Sequence, residues 1–205
     1  MIQNIIFDLG NVLLKFQPSE FLLGFTNDVE YINQFVPKIF RSKIWIELDR
    51  GTISVEDAKN NFISQYPKEK EFLTLFFKHW MEMLTPIDKN IEILKDVRAL
   101  GYKTYILSNY IKEAYTFIKK NYKIFTLFDG QIISGFEKII KPEKAIYELL
   151  LNRYNLIPEE SLFIDDILFF LKPAKKLGMK TIWNRPETDL REELEKLDVL
   201  PRTIN

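Results

Sequence analysis

Residues 2–13 read IQNIIFDLGNVL, and this stretch decides the fold. A short apolar run suited to a buried strand ends in Asp8, and a Gly-Asn turn signal follows at Gly10 and Asn11. Working outward, strand-like and helix-like stretches alternate from residue 86 onward. Ile91, Leu94, Val97 and Leu100 recur at helical spacing before Gly101, a natural stop. A strand follows at 104–108 (TYILS), then a helix over about 112–120 and a short strand near 131–134. Pro142 opens another helix with Ile146, Leu149 and Leu150 on one face, and 161–165 (SLFID) reads as a buried strand. A short helix from Pro173 stops at Gly178, and a last strand begins at 181–183. Such alternation predicts an α/β fold with a doubly wound, Rossmann-like parallel sheet covered on both faces.

Residues 15–85 break the pattern. They read as helices alone, roughly 19–26, 29–42, 54–66 and 68–84, with Ser54 as a helix cap. The expected organisation is an α/β core of residues 1–14 and 86–205, interrupted by a helical bundle, a cap domain, over 15–85. Ligands of such sheets bind beyond the carboxyl ends of the strands. Asp8, Ser108 and Asp165–Asp166 all stand at predicted strand ends, so their polar groups converge on one edge.

Composition narrows the chemistry. Among 205 residues, Lys plus Arg and Asp plus Glu are both 29, so no nucleic-acid or membrane partner is expected from net charge. The apolar runs fall short of a membrane span and the N-terminal stretch has no basic segment, which predicts a cytoplasmic protein rather than a secreted one. With no cysteine and one histidine, His79, thiol catalysis, a zinc cluster and a histidine triad are implausible. Any metal should be a hard ion held by oxygens. A carboxylate at position 8 can attack phosphorus, but attacker and phosphate are both negative, so cations must share the pocket. Asp165 and Asp166 offer ligands for magnesium, Lys141 a fixed positive charge, and Ser108 a donor to a phosphate oxygen. The amides of the turn 9–11 can point at an anion, which makes Asn11 a candidate for substrate binding.

Four stretches in this order, IIFDLGNVL (5–13), YILSN (105–109), KPE (141–143) and LFIDD (162–166), resemble the signatures of the haloacid dehalogenase superfamily. Specifically, the chain resembles its phosphatases with a helical cap after the first strand, and most the branch containing bacterial α-glucose-1-phosphate phosphatase. The resemblance implies that Asp8 is the nucleophile and that Gly10 (through its carbonyl) and Asp166 complete the protein share of a Mg2+ shell, with Asp165 in support. It further implies that Ser108 and Lys141 hold phosphoryl oxygens beside Asn109, and that the substrate is a small phosphorylated metabolite.

Two positions depart from the pattern. The family's general acid, an Asp two residues after the nucleophile, is Gly10 here. The expected substrate therefore has a leaving group needing little protonation, such as a sugar 1-phosphate or an aryl phosphate. Phe170 stands where the family usually has a polar residue, which predicts weakened activity. The stretch 45–54 (WIELDRGTIS) resembles the cap loop that reaches the substrate, nominating Asp49 and Arg50. The apolar stretch 72–84 is expected either to pack the cap helices or to form a homodimer surface, so the protein is a monomer or a homodimer. His79, inside it, is expected to be structural. Two alternatives remain: a metal-independent 2-haloacid dehalogenase, against which the Asp165–Asp166 pair argues, and a catalytically weakened binding protein of the same fold.

Overall fold

A computed structural model describes residues 1–202. Five strands form one parallel sheet: β1 (Asn4–Phe7), β2 (Lys103–Ser108), β3 (Gly130–Ile133), β4 (Ser161–Asp165) and β5 (Lys180–Trp183), in spatial order β3-β2-β1-β4-β5. In chain order the helices before β2 are α1 (Pro18–Leu22), α2 (Val29–Phe40), α3 (Lys43–Arg50), α4 (Val55–Gln65), α5 (Lys70–His79) and α6 (Asp88–Ala99). After β2 come α7 (Lys112–Asn121), α8 (Ser134–Glu137), α9 (Lys144–Tyr154), α10 (Leu168–Lys176) and α11 (Leu190–Lys196).

Burial on both faces follows from β1 itself. Successive side chains point to opposite sides of a sheet. Ile5 and Phe7 accordingly enter a core shared with α6, α7 and the helices of 18–83, while Ile6 enters a second core with Ile146, Tyr147 and Leu150 of α9. Every residue of β1 is buried, the apolar run Ile5–Phe7 and the polar Asn4 before it alike. Because β1 is central, its end lies beside those of β2 and β4: Phe7 pairs with Ile106 on one side and Ile164 on the other. Asp8 thus leaves the sheet level with the last residues of two neighbours, at the point where strand order reverses. Polar groups are expected to gather there.

The helices α1–α5 hold together around aromatic rings. Phe40 and Trp45 lie 4.4 Å apart between ring centroids, Trp45 and Trp80 5.7 Å, and Phe35 and Phe72 5.3 Å. Edge-to-face pairs at such spacings add to the burial each ring brings. Leu73, Phe76, Phe77, Trp80, Met83 and Leu84 are all buried in this packing, which accounts for the apolar stretch 72–84. His79 pairs with Glu82 on the exposed side.

Three elements differ from the sequence reading. Residues 43–50 form a helix instead of a loop: the Ser42 hydroxyl accepts the Trp45 N–H, and Gly51 closes the other end at a left-handed φ of 75°. Helix α10 starts at Leu168, five residues before Pro173, and tolerates that proline inside it. Helix α11 had no counterpart in the reading; Asp189 caps it by accepting the Arg191 and Glu192 amides. Among the described residues no helix is long and apolar enough to cross a membrane.

Candidate active site

The ends of β1, β2 and β4, with Lys141 from the loop before α9, bring four charged or polar groups into contact. Ser108 Oγ donates to Asp8 Oδ1 at 2.6 Å, and Lys141 Nζ lies 3.0 Å from that same oxygen. Lys141 Nζ also reaches Asp165 Oδ2 at 2.6 Å. Carboxylate oxygens of Asp8, Asp165 and Asp166 all lie within 4.8 Å of one another, close enough to hold one metal ion. Three carboxylates against one ammonium leave two negative charges over. Like charges about 4 Å apart at an effective dielectric near 20 repel by roughly 4 kcal/mol, so the donor set fits a divalent cation.

Neighbours fix these groups in place. The Asn109 side chain brackets the Lys141 peptide, accepting its N–H at 2.7 Å and donating to its carbonyl at 3.0 Å. The Phe170 and Phe163 rings face the ammonium, 5.1 and 5.4 Å from Nζ. The aromatic residue at position 170 thus supports the lysine through its ring, a favourable arrangement for a desolvated cation. Asp165 Oδ1 accepts the Ile167 N–H at 2.8 Å, leaving it turned between that amide and Lys141. Asn11, in the left-handed conformation at φ 51°, donates from Nδ2 to Asp166 Oδ2 at 3.1 Å and accepts the Phe16 N–H at 3.0 Å. Asn11 therefore orients Asp166 and the turn, in addition to lining the cavity described below.

The electrostatics reflect the surplus of acid. Burial, with the charge of Asp8 adding to it, pushes Asp166 up to about 6 against the pull of Asn11. Burial likewise raises Asp165 to about 7, although Lys141 opposes it. Desolvation works against the Lys141 ammonium, but Asp165 and Asp8 outweigh it and hold its pKa above the ordinary lysine value.

A cavity of about 440 Å³ opens from this cluster toward α3. Asp8, Gly10, Asn11, Asn109, Lys141 and Asp166 line its polar end, and Asp49 of α3 enters from the opposite side. Ser108 and Asp165 sit behind that surface, both buried. Burial first, then the charge of Asp8, raises the Asp49 carboxyl well above the usual carboxylate range, against Lys141.

Close packing locks α3 to α8, the short helix that follows β3. Ser134 Oγ donates to the Asp49 carbonyl at 2.6 Å and accepts the Tyr110 N–H at 2.9 Å. A Cβ on Gly51 would stand 2.2 Å from the Gly135 carbonyl oxygen, so only glycine allows this approach, and its positive φ asks for glycine as well. Arg50 departs from the sequence expectation. Its guanidinium forms a two-pronged pair with Glu143, at 2.7 and 3.1 Å, and does not line the cavity. That pair ties α3 to the loop carrying Lys141 and engages the Arg50 guanidinium away from the cavity. Sequence reasoning missed Ser134, Gly135, Tyr110 and Trp80, since none belongs to a recognisable spacing; adjacent small residues at 134–135 after an apolar run were the one available signal.

Comparison with known proteins matches residues 2–178 to the model of the haloacid dehalogenase-like hydrolases. The chain is 25% identical to a sesquiterpene phosphatase of Aspergillus oryzae over 174 residues, 85% of each chain. It is 23% identical to a D-ribitol-5-phosphate phosphatase of Bacteroides thetaiotaomicron, covering 95% of this chain and 97% of that one. Other curated relatives are matched over as little as 13% of their own length. An HAD family enzyme from Bacteroides thetaiotaomicron, solved with magnesium and inorganic phosphate, superposes with a TM-score of 0.71 at 22% identity, over 94% of this chain and 99% of that one. At that identity the likeness shows the fold.

Proposed function

The chain belongs to the haloacid dehalogenase-like hydrolases, and on that premise we propose that it is a magnesium-dependent phosphatase acting on a small phosphorylated metabolite through a phosphoryl group held covalently on Asp8. One observation carries the reading: three carboxylates and one lysine gathered at the strand ends, short of positive charge by the amount a divalent cation supplies. Asp8 and Asp166 would hold the ion, with the Gly10 carbonyl beside them and Asp165 behind. When bound, magnesium offsets the repulsion between carboxylate and phosphate.

The chain's own residues do the rest. Asp8 is held by two donors on one oxygen, Ser108 Oγ and Lys141 Nζ, with its carboxylate at the polar end of the cavity where phosphorus would arrive. Those donors then lie where equatorial phosphoryl oxygens arrive, and neutralisation of those oxygens is the main work of phosphoryl transfer. Attack by the Asp8 carboxylate breaks the bond from phosphorus to the ester oxygen, which leaves and takes up a proton to become the alcohol. Water then attacks phosphorus, breaks its bond to Asp8 and releases inorganic phosphate, which restores the carboxylate. The relatives named above share the word phosphatase and differ in the body their substrates carry, which supports the reaction and leaves the body open.

A metal-independent dehalogenase would need no such acid cluster, because surplus carboxylates repel the nucleophile. Measuring phosphate release from acetyl phosphate, with magnesium and with chelator, tests the proposal. We expect turnover that chelation removes and that Asp8→Asn lowers by roughly a thousandfold or more. Activity on 2-haloacids in chelator, with none on phosphates, would overturn it.

A further inference from the structure

The polar residues around Asp8 line one end of the cavity, and the remainder of its wall is of a different character. Phe40, Trp45 and Trp80 line the side toward α3, and Ile140, Phe169 and Phe170 the side toward the sheet. The rings are held against one another before any ligand arrives, with Phe40, Trp45 and Trp80 in edge-to-face contact. The apolar character continues to the rim. Ile46, Ile167 and Phe169 line the same cavity and are 41%, 44% and 58% exposed. Apolar side chains left in water beside a cavity mouth mark a surface that binds something.

Beyond the phosphoryl end, polar groups are few. Asp49 is one. Two others are Trp80 Nε1 and Tyr110 Oη, which are buried and without a hydrogen-bond partner among the described residues. A sugar would bring more hydroxyls to this wall than these three groups can answer, and each hydroxyl in excess loses water without a matching group in return. A hydrocarbon or aromatic body loses nothing by leaving water and fills the space with contacts. The volume, about 440 Å³, is in the range of pockets that enclose a whole small ligand.

We propose that the substrate is a phosphate monoester whose body is apolar, a hydrocarbon chain or an aromatic group, carrying few polar atoms or none. This rests on the phosphatase reading for its reaction, but on the wall of the cavity for its specificity. Of the two leaving groups the sequence suggested, the cavity suits the aryl phosphate and not the sugar.

The test compares kcat/KM for acetyl phosphate, for ethyl, butyl, hexyl and octyl phosphates, and for glucose 1- and 6-phosphates, all with magnesium. We expect a rise of roughly fourfold per added methylene over the shorter members. Octyl phosphate should exceed either glucose phosphate at least about a hundredfold. A flat chain-length series, or faster hydrolysis of the glucose phosphates, would overturn the proposal. Phe169→Ser and Ile46→Asn alter exposed rim residues, so folding is not at stake. Each should lower the ratio of octyl to acetyl phosphate turnover by roughly tenfold, and an unchanged ratio counts against the assigned wall. Calorimetric binding of the same series to Asp8→Asn reads the wall without turnover. If acetyl phosphate is not hydrolysed, the phosphatase reading fails, while the chain-length trend in binding still decides the apolar body.

Discussion

The two ends of the cavity are built by opposite rules. At the sheet end every reacting group is held by another: Ser108 on Asp8, Asp8 on Lys141, Lys141 on Asp165 and on the Asn109 bracket. At the far end, rings from α2, α3 and the segment after α5 pack on one another with little hydrogen bonding. The first end withstands no substitution without leaving a buried charge alone; the second changes shape by methylenes. Reaction and selectivity are thereby separated in space, with Asp49 as the one acid that crosses from the second region to the first.

The sharpest break in this contrast is Lys141→Met. Lys141 is 1% exposed and faces two carboxylates. Its removal leaves both uncompensated, which typically costs about 3–5 kcal/mol. We expect turnover to fall on the order of a thousandfold. In a chain of this size the melting temperature should fall by about 10 °C. Added magnesium should recover part of that stability, because the cation answers the same surplus charge. A variant with near-normal turnover, or a melting point indifferent to the substitution, would show that the cluster is not under the electrostatic stress described.

Asp49→Asn probes the crossing. Gly10 offers no side chain to protonate a departing alkoxide, while Asp49 lines the cavity and burial shifts its carboxyl toward the protonated form, which suits it to donate that proton. The amide keeps the shape and removes the proton. On octyl phosphate kcat should fall roughly a hundredfold with KM little moved. On acetyl phosphate, whose leaving group needs no proton, the fall should be much smaller. Equal losses on both esters would make Asp49 a positioning residue only.

The same division explains what could be read in the chain beforehand. The parallel sheet follows from apolar runs at 5–7, 104–107 and 162–164 with polar residues at their ends, because a strand buried on both faces admits little else. Asp8, Ser108 and the Asp165–Asp166 pair sit on those ends, so spacing located them, while Lys141 lies in the loop before α9 and was legible through the KPE stretch that carries the resemblance. The wall was not legible. Phe40, Trp45, Trp80 and Phe169 come from four separate stretches, and an aromatic residue facing a cavity carries the same local pattern as one facing a core. Helix α3 was hidden for another reason: a hydroxyl cap at Ser42 and a glycine stop at Gly51 enclose only eight residues, too few for helical spacing to stand out. Arg50 is nominated with Asp49 because the stretch 45–54 resembles a cap loop, but consecutive helical residues point about 100° apart, and Glu143 lies on the side of Arg50.

The smallest expected effect concerns pH and asks whether the acid cluster is a metal site. Asp166 and Asp165 are raised in the folded chain to about 6 and about 7, from an ordinary value near 3.8. A carboxyl raised by folding binds its proton more tightly in the folded state than in the unfolded one. Its stabilising contribution is therefore complete below about pH 4 and is lost as pH climbs through 6 and 7. A cation competes for the deprotonated oxygens, so the gain in melting temperature on adding magnesium should be slight near pH 5 and rise through 6–7 toward a plateau by about pH 8. Near saturation that gain is roughly 5–10 °C for a chain of this length. Thermal melts with and without magnesium across that range measure it directly. A gain that is the same at pH 5 and pH 8 would mean that magnesium stabilises the chain without displacing protons from Asp165 and Asp166, and the cluster would then have to be explained without an ion.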